Sequence, residues 1–189
     1  MPKTLKAFLD ESANKSLSRV LRHTEGRNIG MITGNRNENT KKENTANNSQ
    51  LESDLRSAGH GFIKVKGRFI ENYNTPEAKA VDENSYLVIG KKGDDKGALL
   101  HTLKNLGTKF NQDNILHKSH DEPEAKLHGT KEGGFPGAGK THDLGVFHPN
   151  RVGEFHTKMK GPRTFAFESV GSFKFVNPVT FFNRVETLF

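Results

Sequence analysis

The succession of elements constrains this chain more than any single motif does. Arg27 to Thr33 is a short apolar run closed by Gly34-Asn35-Arg36-Asn37, and a polar segment follows to Ala58. After Gly59-His60-Gly61 come two strand-like runs, Phe62 to Phe69 and Val81 to Ile89, separated by a loop from Glu71 to Lys79 that holds Pro76. Phe62-Ile63-Lys64-Val65-Lys66 alternates with period two, as a half-buried strand does, whereas Ser85-Tyr86-Leu87-Val88-Ile89 is nearly all apolar and reads as a central strand.

Helical spacing separates these runs. From Glu38 to Ala58, Ala46, Leu51, Leu55 and Ala58 supply a thin apolar stripe, and the first half, Asn39 to Asn44, holds poor helix formers. That polar start reads either as a frayed, solvated turn or as a helix N-terminus that meets a ligand. Asp94 is placed to cap a second helix carrying Leu99, Leu100, Leu103, Leu106 and Phe110. Asn114 to Lys118 and Lys126 to Thr130 read as short strands. The order β-α-β-β-α-β predicts an α+β, ferredoxin-like antiparallel sheet with two helices on one face. The other face must then be covered by a partner subunit or by the C-terminal half.

Three segments are expected: a helical leader over 1–26, a ferredoxin-like core over 27–130 and a loop-rich extension over 131–189. The extension is rich in glycine and phenylalanine. Phe165-Ala166-Phe167 and Phe173-Lys174-Phe175 alternate like edge strands, and Phe181, Phe182, Leu188 and Phe189 form an aromatic end. No stretch approaches the roughly 18 apolar residues of a membrane helix, so no membrane partner is expected. The absence of cysteine excludes disulfides and thiolate metal sites. A formal charge of +7 favours anionic partners such as nucleic acid or nucleotides.

Gly134-Phe135-Pro136-Gly137-Ala138-Gly139-Lys140-Thr141 spells the phosphate-loop expression. That chemistry needs a buried strand before the loop and a helix after it, and Gly145 and Pro149 oppose the helix. The expectation is a flexible glycine loop. His117, His120 and His128 lie close in sequence, as do His142, His148 and His156, but the spacings match no metal signature, and neither metal nor cofactor is expected. No nucleophile elbow or Ser-His-Asp order is evident. The acidic residues of interest are Glu71, after the second strand, and Glu83, at the entrance to the third.

Several short pieces carry a resemblance: Ile32-Thr33-Gly34-Asn35-Arg36-Asn37 with the asparagine-rich helix start, Gly67-Arg68-Phe69-Ile70-Glu71, Asp82-Glu83-Asn84-Ser85, and Gln112 to Lys118. Together they cover about half the chain, and the frame from Arg27 to Lys118 resembles the phage S-adenosylmethionine lyases. It is also similar to a related ferredoxin-like family of uncharacterised phage and bacterial proteins. The resemblance implies a homotrimer with an adenosyl ligand at subunit interfaces, contacted by a carboxylate like Glu83 and by a tyrosine. The tyrosine position is occupied here by Phe69, and Tyr73 is shifted by four residues. The implied site is Glu83 and Glu71 as catalytic carboxylates, with Arg36, Asn35, Asn37, Phe69 and Tyr73 as ligand contacts.

Pro2 to Glu11, ending Leu9-Asp10-Glu11, looks like the capsid-targeting leaders of internal head proteins of large tailed phages. Two functions from different classes follow. One is an enzyme of the host cytoplasm that breaks S-adenosylmethionine or an adenosyl conjugate to counter host defence. The other is a packaged protein of the virion head interior that contacts DNA or capsid proteins without catalysis.

Overall fold

The computed structural model describes residues 26–71, 76, 79–149, 156–158 and 164–168. The two leader helices, Tyr73, Phe173 to Phe175 and the aromatic C-terminal end lie outside the described residues. The elements run β1 (Arg27–Thr33), α1 (Lys41–Ser57), β2 (Gly61–Glu71), β3 (Lys79–Lys92), α2 (Ala98–Lys109), β4 (Asn114–Lys118), β5 (Glu124–Gly129), β6 (Thr141–Pro149), β7 (His156–Lys158) and β8 (Thr164–Glu168).

The first four strands order as β4-β1-β3-β2, all antiparallel, which is the ferredoxin-like βαββαβ sheet. The remaining strands continue that sheet through β5, β6, β8 and β7, and β7 pairs with β2 to close a barrel. The face turned away from the helices is therefore covered by the C-terminal half of the same chain. Closure also gives β8, expected as an edge strand around Phe165–Phe167, a neighbour on each side, β6 and β7.

Alternation along the strands divides the apolar residues between two cores. Ile29, Met31, Val65, Leu87, Leu116, Ala125, Leu127 and Leu144 fill the barrel. Ile32, Tyr86, Val88 and Ile115 point the other way, against Leu51 and Leu55 of α1 and Leu99, Leu103 and Leu106 of α2. Gly30 permits this packing: a Cβ there would lie 2.1 Å from Leu103 Cδ1 and 2.8 Å from the Leu116 carbonyl oxygen. A bare backbone at Gly30 lets α2 sit directly on β1.

The helix starts differ from the sequence expectation for identifiable reasons. Helix α1 begins at Lys41 because Thr40 forms a capping box, its side chain accepting from Glu43 N while the Glu43 carboxylate accepts from Thr40 N. The polar start is thus capped rather than frayed. At α2 the capping work falls one residue later than Asp94. The Asp95 carboxylate accepts the amides of Gly97 and Leu99 and the side chain of Asn28, while Asp94 accepts only the Lys96 amide in the preceding turn.

Helix α1 is bolted to the sheet by a polar cluster beneath Phe62. The Tyr86 hydroxyl donates to Glu52 at 3.0 Å, and Glu52 also meets Lys64 at 2.6 Å and Arg56 at 3.2 Å. Burial, reinforced by the Glu52 carboxylate, pushes the Tyr86 hydroxyl well above its ordinary pKa, so it stays a donor. Tyr86→Phe is expected to cost about 1–2 kcal/mol by urea unfolding, because Glu52 keeps two cationic partners but loses its buried donor. An unchanged urea midpoint would show that the hydroxyl contributes nothing net.

Candidate functional site

One end of the barrel gathers most of the residues that the sequence singles out. Thr33 ends β1 opposite Ser85, and the Thr33 hydroxyl donates to the Asn84 carbonyl. On the other flank of β1, Asn114 begins β4 at the same end, directly after Asp113. The loop from Gly34 to Asn39 crosses between them.

That loop is held by the asparagines of α1. Asn44 accepts from Arg36 N at 2.8 Å and donates to Arg36 O at 2.9 Å, imitating a strand pairing. Asn48 accepts from Gly34 N at 3.0 Å and donates to the Asn35 side chain. Gln112 donates to the Asn35 carbonyl oxygen at 3.0 Å. The Arg36 guanidinium reaches Glu38 at 2.8 Å and Asp113 at 3.0 Å. Burial opposes its charge, but the two carboxylates outweigh burial and raise its pKa. Asn37 is exposed. The asparagine-rich helix start therefore spends its side chains on shaping this turn.

Glu83 lies within β3 rather than at its entrance, because β3 begins four residues earlier, at Lys79. It pairs with Gly67 on β2, and its other flank is past the end of β1. Its cross-strand neighbour on β2 is thus a glycine, and β1 ends two residues short of it. The register of β3 gives Glu83 the same face as Ser85 and Leu87, the barrel-lining face. Ser85 is buried between Thr33 and Val65, and its hydroxyl has no hydrogen-bond partner among the described residues. Gly67 and Ser85 were missed in the sequence, although the two-residue spacing Glu83-x-Ser85-x-Leu87 was a signal for a shared face.

Glu71 pairs with Lys79 and Phe69 with Val81, so both lie further out along the β2–β3 hairpin than Glu83. Four residues of strand separate the Glu71 and Glu83 positions, roughly 13 Å. Arg36 and Glu83 thus share one end of the barrel, while Glu71 is set apart along the hairpin.

The Gly134–Thr141 segment joins β5 to β6, so a strand follows it where a phosphate loop requires a helix. It is also close-packed rather than a flexible glycine loop. A Cβ on Gly129 would lie 1.8 Å from the Gly137 carbonyl oxygen, and one on Gly134 would lie 2.7 Å from Asp113 Cβ. Asn114 donates to the Phe135 carbonyl oxygen at 2.8 Å, and Phe135 packs on the barrel core. The loop folds against the same end of the barrel as the Arg36 turn. Among the described residues no group of three or more histidine, aspartate or glutamate side chains could hold a metal ion.

Residues 30–172 match the family model described as the S-adenosylmethionine lyase family. The chain belongs to the S-adenosylmethionine lyase family. That segment spans β1 to β8 and so takes in both the ferredoxin-like sheet and the strands that close it. A solved structure of a phage SAM lyase in complex with S-methyl-5'-thioadenosine is also similar, at 13% identity and a TM-score of 0.32, covering 64% of this chain and 89% of that one. No curated protein matches the chain. Among the described residues, no helix of this lyase-family protein is long and apolar enough to cross a membrane.

Proposed function

We propose that this protein is a lyase that cleaves S-adenosylmethionine or an adenosyl conjugate of it, with Glu83 as the carboxylate that faces the sulfonium. The position of Glu83 carries the reading: a half-buried carboxylate on the barrel-lining face, opposite a glycine and just past the end of β1, in a chain of this family. The chemistry asks little of an acid or base. The substrate's own carboxylate oxygen forms a bond to its γ-carbon while the carbon–sulfur bond breaks. The bonding pair stays on sulfur, and a neutral thioether and a lactone leave. What the protein must supply is a folded substrate and negative charge near the sulfur until the bond breaks.

The other implied residues take supporting roles in this reading. Arg36, already paired with two carboxylates, suits holding the turn that carries Asn35 and Asn37 toward the ligand. Glu71 and Phe69 belong to the far part of the hairpin, where a homotrimer would bring them to the ligand of a neighbouring subunit, and the same role is proposed for Tyr73. The net charge of +7 favours an anionic adenosyl conjugate over the free cation. Removal of the adenosyl donor inside an infected host cell would counter defences that depend on methylation.

Incubation of the purified protein with S-adenosylmethionine, followed by chromatography, should release methylthioadenosine together with homoserine lactone. Absence of both, with the free compound and with a phosphorylated conjugate, would sink the reading. The second function rests on the leader-like Leu9-Asp10-Glu11 and the basic charge. If the protein is packaged with DNA, mass spectrometry of virions should find a form that begins at Ser12.

A further inference from the structure

Two imidazoles are shut together in the outer wall of the barrel. His117 on β4 and His128 on β5 occupy the face that Ile115 turns toward α2, and their rings meet edge to face at 5.9 Å between centroids. Each is only 8% exposed, and His117 Nε2 and both ring nitrogens of His128 have no hydrogen-bond partner among the described residues. A buried imidazole without an acceptor is tolerated as a neutral ring and poorly tolerated as a cation.

Burial opposes a cation on both rings, and the surrounding charges add to it mainly at His128, whereas at His117 the nearby carboxylates partly offset it. Lys104 comes from α2, Lys118 from β4 and Lys126 from β5, and each disfavours protonation of one or both rings. Asp95, before α2, and Glu122, before β5, act in the other direction. Lys126 is itself held by Glu122 at 2.8 Å. A proton on either ring would also repel one on the other.

What this seam supports lies at the candidate site. Helix α2 runs through Phe110 into Gln112, whose side chain holds the Asn35 carbonyl oxygen, and Asp113 holds Arg36. Thr130, two residues beyond His128, donates its hydroxyl to the Gln112 carbonyl oxygen at 2.6 Å. The Asn35–Arg36 turn is held from two sides, by Asn44 and Asn48 of α1 and by Gln112 and Asp113 beyond α2, and loosening of α2 against β4 and β5 removes the second hold.

We propose that the His117–His128 pair is an acid-sensitive latch, which holds α2 and the Asn35–Arg36 turn in place while both rings are neutral and opens that seam when they are protonated. Burial, then Lys104 and His117, lower His128 from 6.5 to about 4, and burial lowers His117 too. A depressed folded-state value means that the stabilisation is complete above pH 6.5 and is lost as the pH falls toward about 4. With those two values for the open and closed seam, His128 alone shifts the opening equilibrium by about twentyfold at pH 5 relative to neutral pH.

The test is amide hydrogen exchange of the full chain at pH 7 and pH 5, corrected for the intrinsic rates. In the wild type, amides of α2, of 110–118 and of 34–36 should gain about tenfold or more in exchange relative to those of the β2–β3 pairing, from the protonation shift above. H128F keeps an aromatic ring but cannot be protonated, and should abolish most of that excess. His117 on the seam and His60, buried beside Thr102 on α2, both have their protonation opposed by burial and remain in that variant, so a smaller residual acid response is expected. An excess that persists undiminished in H128F, or uniform loosening of the whole barrel in the wild type, overturns the proposal. Should H128F fail to fold, proton NMR titration of the wild-type rings decides: protonation near 6.5 without local opening refutes the latch.

Discussion

Glu83→Gln should lower the rate of methylthioadenosine release by about 10²–10³-fold while leaving the fold intact, if Glu83 supplies the charge that faces the sulfonium. The substitution keeps the size and the hydrogen-bonding shape of the side chain and removes only its negative charge. Glu83 is half-buried opposite Gly67, and the isosteric glutamine fills the same space. The thermal midpoint should therefore shift by no more than a surface substitution does, within about 0.5 kcal/mol. Loss of turnover with an unchanged midpoint separates a catalytic charge from a structural one. A variant with wild-type kcat/KM would remove Glu83 from the mechanism. A second signature is kinetic: a charge used mainly in holding the cationic ground state raises KM with little change in kcat.

Leu103→Ala is expected to be the most damaging single change to stability, at about 3–4 kcal/mol, within the range of fully buried leucine truncations. Leu103 is 0% exposed and joins α2 to the helix-side core through contact with β1. The geometry also predicts a partial rescue. In the wild type, Gly30→Ala should cost about 1–3 kcal/mol, because the added Cβ collides with Leu103 Cδ1 and with the Leu116 carbonyl oxygen. In the Leu103→Ala background, the side-chain collision is gone and the new methyl occupies part of the cavity. The double variant should therefore lose less than the two single changes added together. The remaining approach to the Leu116 carbonyl oxygen, 2.8 Å, limits the rescue to a part of the cost. Urea unfolding of the four proteins measures this cycle, and strict additivity would show that Gly30 is fixed by the backbone contact alone.

Much of this molecule could be read along the chain because its signals are local. The period-two run at Phe62–Lys66, the apolar run at Ser85–Ile89, the apolar stripe of α2 and the turn at Gly34 fix element type from the local sequence pattern. The succession of those elements leaves few antiparallel arrangements, and the ferredoxin-like order β4-β1-β3-β2 is the one found. Arg36 was legible as a turn residue, whereas Glu83, expected at the entrance to the third strand, lies four residues inside β3.

Tertiary contacts decided the rest. The sequence left open whether a partner subunit or the C-terminal half covers the sheet, and the closure rests on a pairing between β7 and β2 that joins Thr157 to Gly67, ninety residues apart in sequence. The work of Asn44 and Asn48 depends on a loop that passes above them only when β1 is in place. The phosphate-loop spelling at Gly134–Thr141 was a statement about residues, and the strand that follows it removed the helix amides which that spelling needs. Likewise, His117 and His128 are unremarkable in sequence and become a coupled, solvent-starved pair only through the β4–β5 register. Residue type and period set which elements form. Which faces meet, and which polar atoms lose water in doing so, is a property of long-range packing.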